Sequence, residues 1–140
     1  MQLYGKTSAH AIAVMSYLAA DPDRRAGAEA VAKARGLSRP LAAKLLTRLA
    51  TAGLVTGQPG PGGGYTLARP PEEVRLSDIA GLFEPRDPTV FCPFGFTCCE
   101  QEQPCALHDQ IAALRQAGRK FLEETRLSAF AGQTLECGAK

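Results

Sequence analysis

The sequence predicts a mainly α-helical chain with one small β-hairpin: a winged helix-turn-helix followed by a long C-terminal helix that would pair two copies. Three observations carry this expectation. Apolar residues recur at the helical period in short stretches of the first 52 positions. Two β-prone runs then flank the glycine- and proline-rich loop GQPGPGGGY (57–65). Near the other end, Leu107, Ile111, Leu114, Gly118, Phe121 and Thr125 are spaced 4, 3, 4, 3 and 4 residues apart, a heptad-like seam.

The elements follow in chain order. Thr7 or Ser8 is placed to cap a first helix reaching about Ala20, with Ala11, Val14, Met15 and Leu18 on its apolar side. Asp21-Pro22-Asp23 stops it. A second helix fits Ala28 to Arg35, closed by Gly36. Ser38 then offers an N-cap and Pro40 falls in the first turn, where a missing N–H costs little. The third helix runs to about Ala52. Ala42, Leu45, Leu46 and Leu49 form its inner stripe; Arg39, Ala43, Lys44 and Thr47 lie off it, and Arg48 is at its border. Two helices joined by a short glycine-containing turn, the second with a polar outer face, make the helix-turn-helix pattern. The hairpin behind it reads as a wing, whose glycines let backbone amides approach phosphates. Arg69-Pro70-Pro71 is a linker. A short fourth helix starts at Leu76-Ser77-Asp78-Ile79, with Ser77 as its cap, and ends near Glu84. The final helix covers roughly Ala106 to Leu127. It is longer than a small domain covers alone, so it reads as a pairing helix, with packing back on its own domain as the alternative; Gly118 would allow a neighbouring backbone to come close. The chain thus divides into a winged helix-turn-helix (1–84), a cysteine-rich segment (85–105), a pairing helix (106–127) and a flexible tail (128–140) containing the bystander thiol Cys137.

Composition narrows the partners. A 140-residue chain, 45% apolar and without Trp, builds its core mostly from Leu, Ala, Val and Ile. Such a core is thin, and self-association would help it. The net charge of +2 hides an asymmetry. Residues 1–55 carry eight Lys/Arg against three Asp/Glu, and residues 56–140 carry eight against eleven. A basic front half suits a polyanion, nucleic acid above all. The apolar stretch after His10 is too short to span a bilayer and lacks the layout of a secretory signal, so a cytoplasmic location with reduced thiols and no membrane partner is expected. No Cys-x-x-Cys precedes a helix, no Ser/His/Asp arrangement stands out, and the two histidines lie far apart. These absences argue against an enzyme, and no catalytic residue is assigned.

Four of the five cysteines fall within CPFGFTCCEQEQPCALH (92–108): Cys92, Cys98, Cys99 and Cys105, with His108 closing the stretch. Thiolates bind zinc, copper(I) or iron in sulfide clusters. Structural zinc sites pair ligands two to four residues apart, and only Cys105-x2-His108 has that spacing. Wider intervals in a segment that wraps a larger object suit a cluster, and imidazole ligates iron in Rieske centres. Zinc, and a metal-free thiol switch, stay open as alternatives.

The segment LAAKLLTRLATAGLVTGQPGPGGGYTLARPPEEVRLSDIAGLFE resembles the winged-helix core of the IscR/NsrR-type transcription regulators, the Rrf-two family. AGLV, PGGGY, LAR and LSDI match in order and spacing, and the thiol segment followed by a long helix is also where that family places it. The resemblance spans about residues 1 to 127. It implies a homodimer on near-palindromic double-stranded operator DNA, with three cysteines holding a [2Fe–2S] or [4Fe–4S] cluster. Carried onto this sequence, the ligands are Cys92, Cys99 (Cys98 as its alternative) and Cys105. The fourth ligand is His108, or His10 of the other copy, since the family's N-terminal ligand position falls near Ser8. Read as a helix-turn-helix with a wing, the chain itself would place Arg39 and Lys44 in the major groove and Ser38 on a phosphate or base edge, with Arg48 and the amides of Gly62, Gly63 and Gly64 holding the DNA backbone. Pro59 stands where many members carry a groove-reading arginine.

Overall fold

A computed structural model gives the three-dimensional structure, and it describes residues 4–84 and 105–133. In chain order the elements are α1 (Lys6–Ala20), α2 (Ala28–Arg35), α3 (Arg39–Thr51), β1 (Val55–Gln58), β2 (Gly64–Leu67), a 3-10 turn (Pro71–Glu73), α4 (Leu76–Ala80), α5 (His108–Glu124) and a second 3-10 turn (Leu127–Phe130).

The helix-turn-helix forms for the reasons its sequence supplies. Gly36 closes α2 in the left-handed conformation, φ 64°, which a side chain would disfavour. Ser38 caps α3, its hydroxyl oxygen accepting from the Leu41 N–H at 3.3 Å. Ala42, Leu45, Leu46 and Leu49 are all buried. They meet Ala11, Val14, Met15 and Leu18 of α1, Val31 of α2 and Ile79 of α4 in one apolar core. β1 and β2 pair antiparallel, with Val55 opposite Leu67 and Gln58 opposite Gly64. A third backbone segment completes the wing: Ala26 and Tyr65 exchange both N–H···O bonds, at 3.0 and 2.8 Å.

Three expectations need correction. The caps named for α1 and α4 are not the caps. Gly5 precedes α1, and Ser8 is buried within its first turns. At α4 the Arg75 N–H donates to the Asp78 carboxylate at 2.9 Å, so Asp78 rather than Ser77 holds the helix start. The strands also reach further into the glycine loop than expected, to Gln58 on one side and Gly64 on the other. Lastly, the chain after α5 does not fray at 128. The Leu127 N–H donates to the Val74 carbonyl at 2.8 Å, Leu127 is fully buried, and the Gly132 N–H donates to Ala20. A β-bridge between Arg75 and Arg126 fastens the same junction. The end of α5 therefore belongs to the core of the first 84 residues.

The apolar seam of α5 splits in two. Gly118, with Leu122 beside the seam, is buried. Leu107, Leu114 and Phe121, spaced by seven, stay 48%, 52% and 49% exposed. Among the described residues they are the large apolar side chains left exposed.

Candidate nucleic-acid interface and thiol segment

α3 presents Ser38, Arg39, Lys44, Thr47 and Arg48 on its exposed side. Arg39 and Lys44 stand clear at the first two turns, where a recognition helix meets base edges. The Ser38 hydroxyl is bound to its capping role through one lone pair. Thr47 donates to the Ala43 carbonyl at 2.9 Å. Arg48, expected on the DNA backbone, instead turns back across the surface. Its Nη2 donates to the Leu82 carbonyl at 2.6 Å, and its guanidinium lies 5.0 Å from the Phe83 ring centroid.

The wing glycines are required by shape. Gly62 has φ 72° and Gly64 φ 136°. A Cβ at Gly64 would come within 2.8 Å of the Ala26 backbone, and one at Gly63 would run into the carbonyl oxygen of Gln58. The Gly63 N–H donates to the Gly60 carbonyl at 2.9 Å, so this amide is engaged inside the turn. Beside the helix-turn-helix, Arg24 and Arg35 flank the Tyr17 ring at 5.0 and 5.5 Å. Arg35 is anchored to the Ala13 carbonyl at 2.9 Å. The hydrogen bond to Tyr17, with smaller help from Asp21, raises the Arg24 guanidinium above its ordinary value. The sequence reading missed this aromatic–cation stack; a tyrosine seven residues before one arginine and eighteen before another carries no local signal.

At the other site, Cys105 is a free, half-buried thiol. Its carbonyl accepts from the His108 N–H at 3.0 Å, which sets Cys105 at the entrance of α5 and the half-buried His108 as the first helical residue. Cys92, Cys98 and Cys99 lie outside the described residues, as does Cys137. On α1, His10 is half-buried and Ser8 fully buried. The Ser8 Oγ is 2.5 Å from Glu84 Oε1 and 3.3 Å from the Ala80 carbonyl, and the Gly5 N–H donates to the same Glu84 oxygen at 2.6 Å. Glu84, which the sequence reading did not single out, thus fastens the start of α1 to the exit of α4.

A helix-turn-helix with its second helix exposed, and a β-wing hydrogen-bonded beside it, defines a winged-helix DNA-binding protein. Comparison with known proteins is more specific. The Rrf2 family, described as an iron-dependent transcriptional regulator, matches residues 4–133, and the chain belongs to that family. It is 28% identical over 127 residues to an HTH-type transcriptional regulator of Aquifex aeolicus, covering 89% of this chain and 88% of the relative. The fold is similar to that of the oxidised form of CymR from Staphylococcus aureus, with TM-score 0.73 and 26% identity, over 95% of this chain and 98% of that one. It is also similar to IscR of T. potens, with TM-score 0.67 and 23% identity, over 89% and 82%. The chain is a DNA-binding transcription regulator and not an enzyme. Among the described residues no helix is long and apolar enough to cross a membrane.

Proposed function

We propose that this chain acts as a homodimer whose affinity for operator DNA is set by an iron–sulfur cluster, [2Fe–2S] or [4Fe–4S]. The ligands assigned are Cys92, Cys99 (or Cys98), Cys105 and His108. The observation that carries the reading is the pair at the entrance of α5: a free thiol and an imidazole one helical turn apart, both partly accessible. The donor chemistry fits. Thiolate and imidazole are the ligand types of such clusters, and the positive end of α5 favours the negative charge that a thiolate-bound cluster brings. When bound, the cluster supplies a redox-active centre whose loss or change alters how the thiol segment is held.

The protein's own residues do the rest. Arg39 and Lys44 enter the major groove, where each good base contact is worth roughly 1–3 kcal/mol of discrimination. Ser38 positions the start of α3 against phosphate or a base edge. The wing at Gly62 to Gly64 lies against the backbone, with the Gly63 amide held inside the turn. Leu107, Leu114 and Phe121 are covered by the second copy. Two reading heads about 34 Å apart then span one DNA turn. A typical coupling of 1–3 kcal/mol between segment and reading head changes operator occupancy about 5–150-fold.

A second reading, a metal-free thiol switch on the same fold, is favoured by the likeness to CymR in its oxidised form; a zinc-holding version shares this architecture. Elemental analysis separates the three. Anaerobically purified chain should be brown and contain iron and acid-labile sulfide, and Cys105→Ala should remove the colour while leaving a folded protein. Full iron in Cys105→Ala would refute the ligand assignment. A colourless unaltered chain that contains zinc, or that loses DNA binding reversibly on thiol oxidation, would replace the cluster with the corresponding alternative.

A further inference from the structure

Residues 82–84 are the last three before the thiol segment, and two parts of the reading head are tied to them. From the last turns of α3, Arg48 donates to the Leu82 carbonyl at 2.6 Å and lies over the Phe83 ring at 5.0 Å. From the start of α1, the Gly5 N–H and the Ser8 hydroxyl converge on Glu84 Oε1 at 2.6 and 2.5 Å. The three residues are themselves a continuation of α4. Their N–H groups donate to Ile79 and Ala80 carbonyls at 3.1–3.2 Å.

We infer that Leu82, Phe83 and Glu84 form a coupling hub, and that Arg48 and Glu84 are positioning residues that carry the state of the thiol segment to the recognition helix. The inference rests on the proposed function, because it names the route by which that site would regulate DNA binding.

The physical case is one of linkage. A planar guanidinium that donates a charge-assisted hydrogen bond and also lies over a ring is fixed in direction as well as position. Lysine keeps the charge but cannot satisfy both contacts. Glu84 does a second job: its carboxylate meets the N-terminus of α1, where the helix dipole favours negative charge. α1 is held in the core, with Ala11, Val14, Met15 and Leu18 fully buried. A shift of Leu82, Phe83 and Glu84 therefore moves the ends of α1 and α3 together, or breaks the contacts that hold them.

The test uses the full chain and a fluorescein-labelled duplex that the chain itself selects from a random-sequence pool. Affinity is measured by anisotropy in two states, with the cluster present and after its removal; a preparation without iron is taken instead through reduced and oxidised thiols. The readout is the ratio of the two dissociation constants. In Arg48→Lys and in Phe83→Leu the ratio should fall at least fivefold towards one, with visible absorption and thermal midpoint close to those of the unaltered chain. Arg48→Lys sits on the surface, so it reports even if Phe83→Leu folds poorly. A ratio preserved in Arg48→Lys overturns the inference. So does an Arg48→Gln variant whose affinity drops equally in both states and whose salt dependence weakens by about one phosphate contact, the mark of a DNA ligand. A ratio of one in the unaltered chain, under both treatments, overturns it too, since nothing would then be transmitted. Iron content in the same samples judges the cluster proposal separately.

Discussion

α3 and α5 are both amphipathic, and they use that property in opposite ways. The apolar stripe of α3, Ala42, Leu45, Leu46 and Leu49, vanishes into the core of its own chain. α5 divides its apolar residues: Leu122 faces inward, and Leu107, Leu114 and Phe121 remain about half exposed along one line. Periodicity tells which face of a helix is apolar; it does not tell what covers that face. For α3 the cover lies within fifty residues on either side, in α1, α2 and α4. For the outer line of α5 the chain supplies none among its described residues.

The sharpest way to break this comparison is to cut both stripes. Leu49→Ala removes a fully buried side chain and leaves a cavity in the core shared by α1, α2, α3 and α4. It should cost about 2–5 kcal/mol in urea unfolding, a large part of the stability of a domain this size. A loss below about 1 kcal/mol would mean that α3 is not fastened as its burial indicates. Leu114→Glu should do the reverse, leaving the fold intact and weakening self-association. Half-covering a leucine twice in a two-fold interface is worth about 1.5–3 kcal/mol, so dimerisation should weaken at least about tenfold in sedimentation equilibrium. Unchanged association would show that the line 107–114–121 is not where two copies meet. The two variants must be compared at one protein concentration, because dimerisation itself adds to apparent stability.

What the sequence revealed divides along the same boundary. Local physics was legible. The left-handed Gly36, the Ser38 cap and the four-residue stripe of α3 all obey rules that act within a turn or two. The hairpin too was signalled by glycine and proline, although β-pairing reached deeper into GQPGPGGGY than composition indicated, because Ala26 adds a third backbone partner at Tyr65. Long-range polar contacts were not legible. Nothing near Glu84 announces that its carboxylate meets Gly5 and Ser8, 79 and 76 residues earlier. Arg48 reads as one more cation on a basic helix until the fold brings Leu82 and Phe83 beneath it. The return of Leu127 to Val74 was hidden for the same reason: packing of the last helix on its own chain was an open alternative, but nothing in a heptad seam points to Val74 as the partner of the residues that follow it. At the thiol segment, spacing fixed the donor types and left Cys98 and Cys99 as alternatives, since two adjacent thiols differ by one residue in a stretch with no periodicity to align them.

The smallest effect probes the reading edge of α3 itself. The Ser38 hydroxyl accepts from the Leu41 N–H across 3.3 Å at an exposed helix start. Ser38→Ala leaves that N–H to water and should cost about 0.5–1 kcal/mol of stability, the lower part of the range for lost caps. The same hydroxyl is proposed to face DNA, so the variant has two readouts that need not agree. If Ser38 only caps, Ser38→Asp restores the stability, and the affinity it recovers is limited by repulsion between carboxylate and phosphate. If Ser38 also contacts a phosphate or base edge, Ser38→Ala weakens operator binding by more than its stability loss explains, and Ser38→Thr, which keeps the hydroxyl, recovers most of it. Urea unfolding beside anisotropy titration at fixed salt separates these outcomes. Equal operator affinity for Ser38→Ala and the unaltered chain would confine Ser38 to the helix start and leave base reading to Arg39 and Lys44.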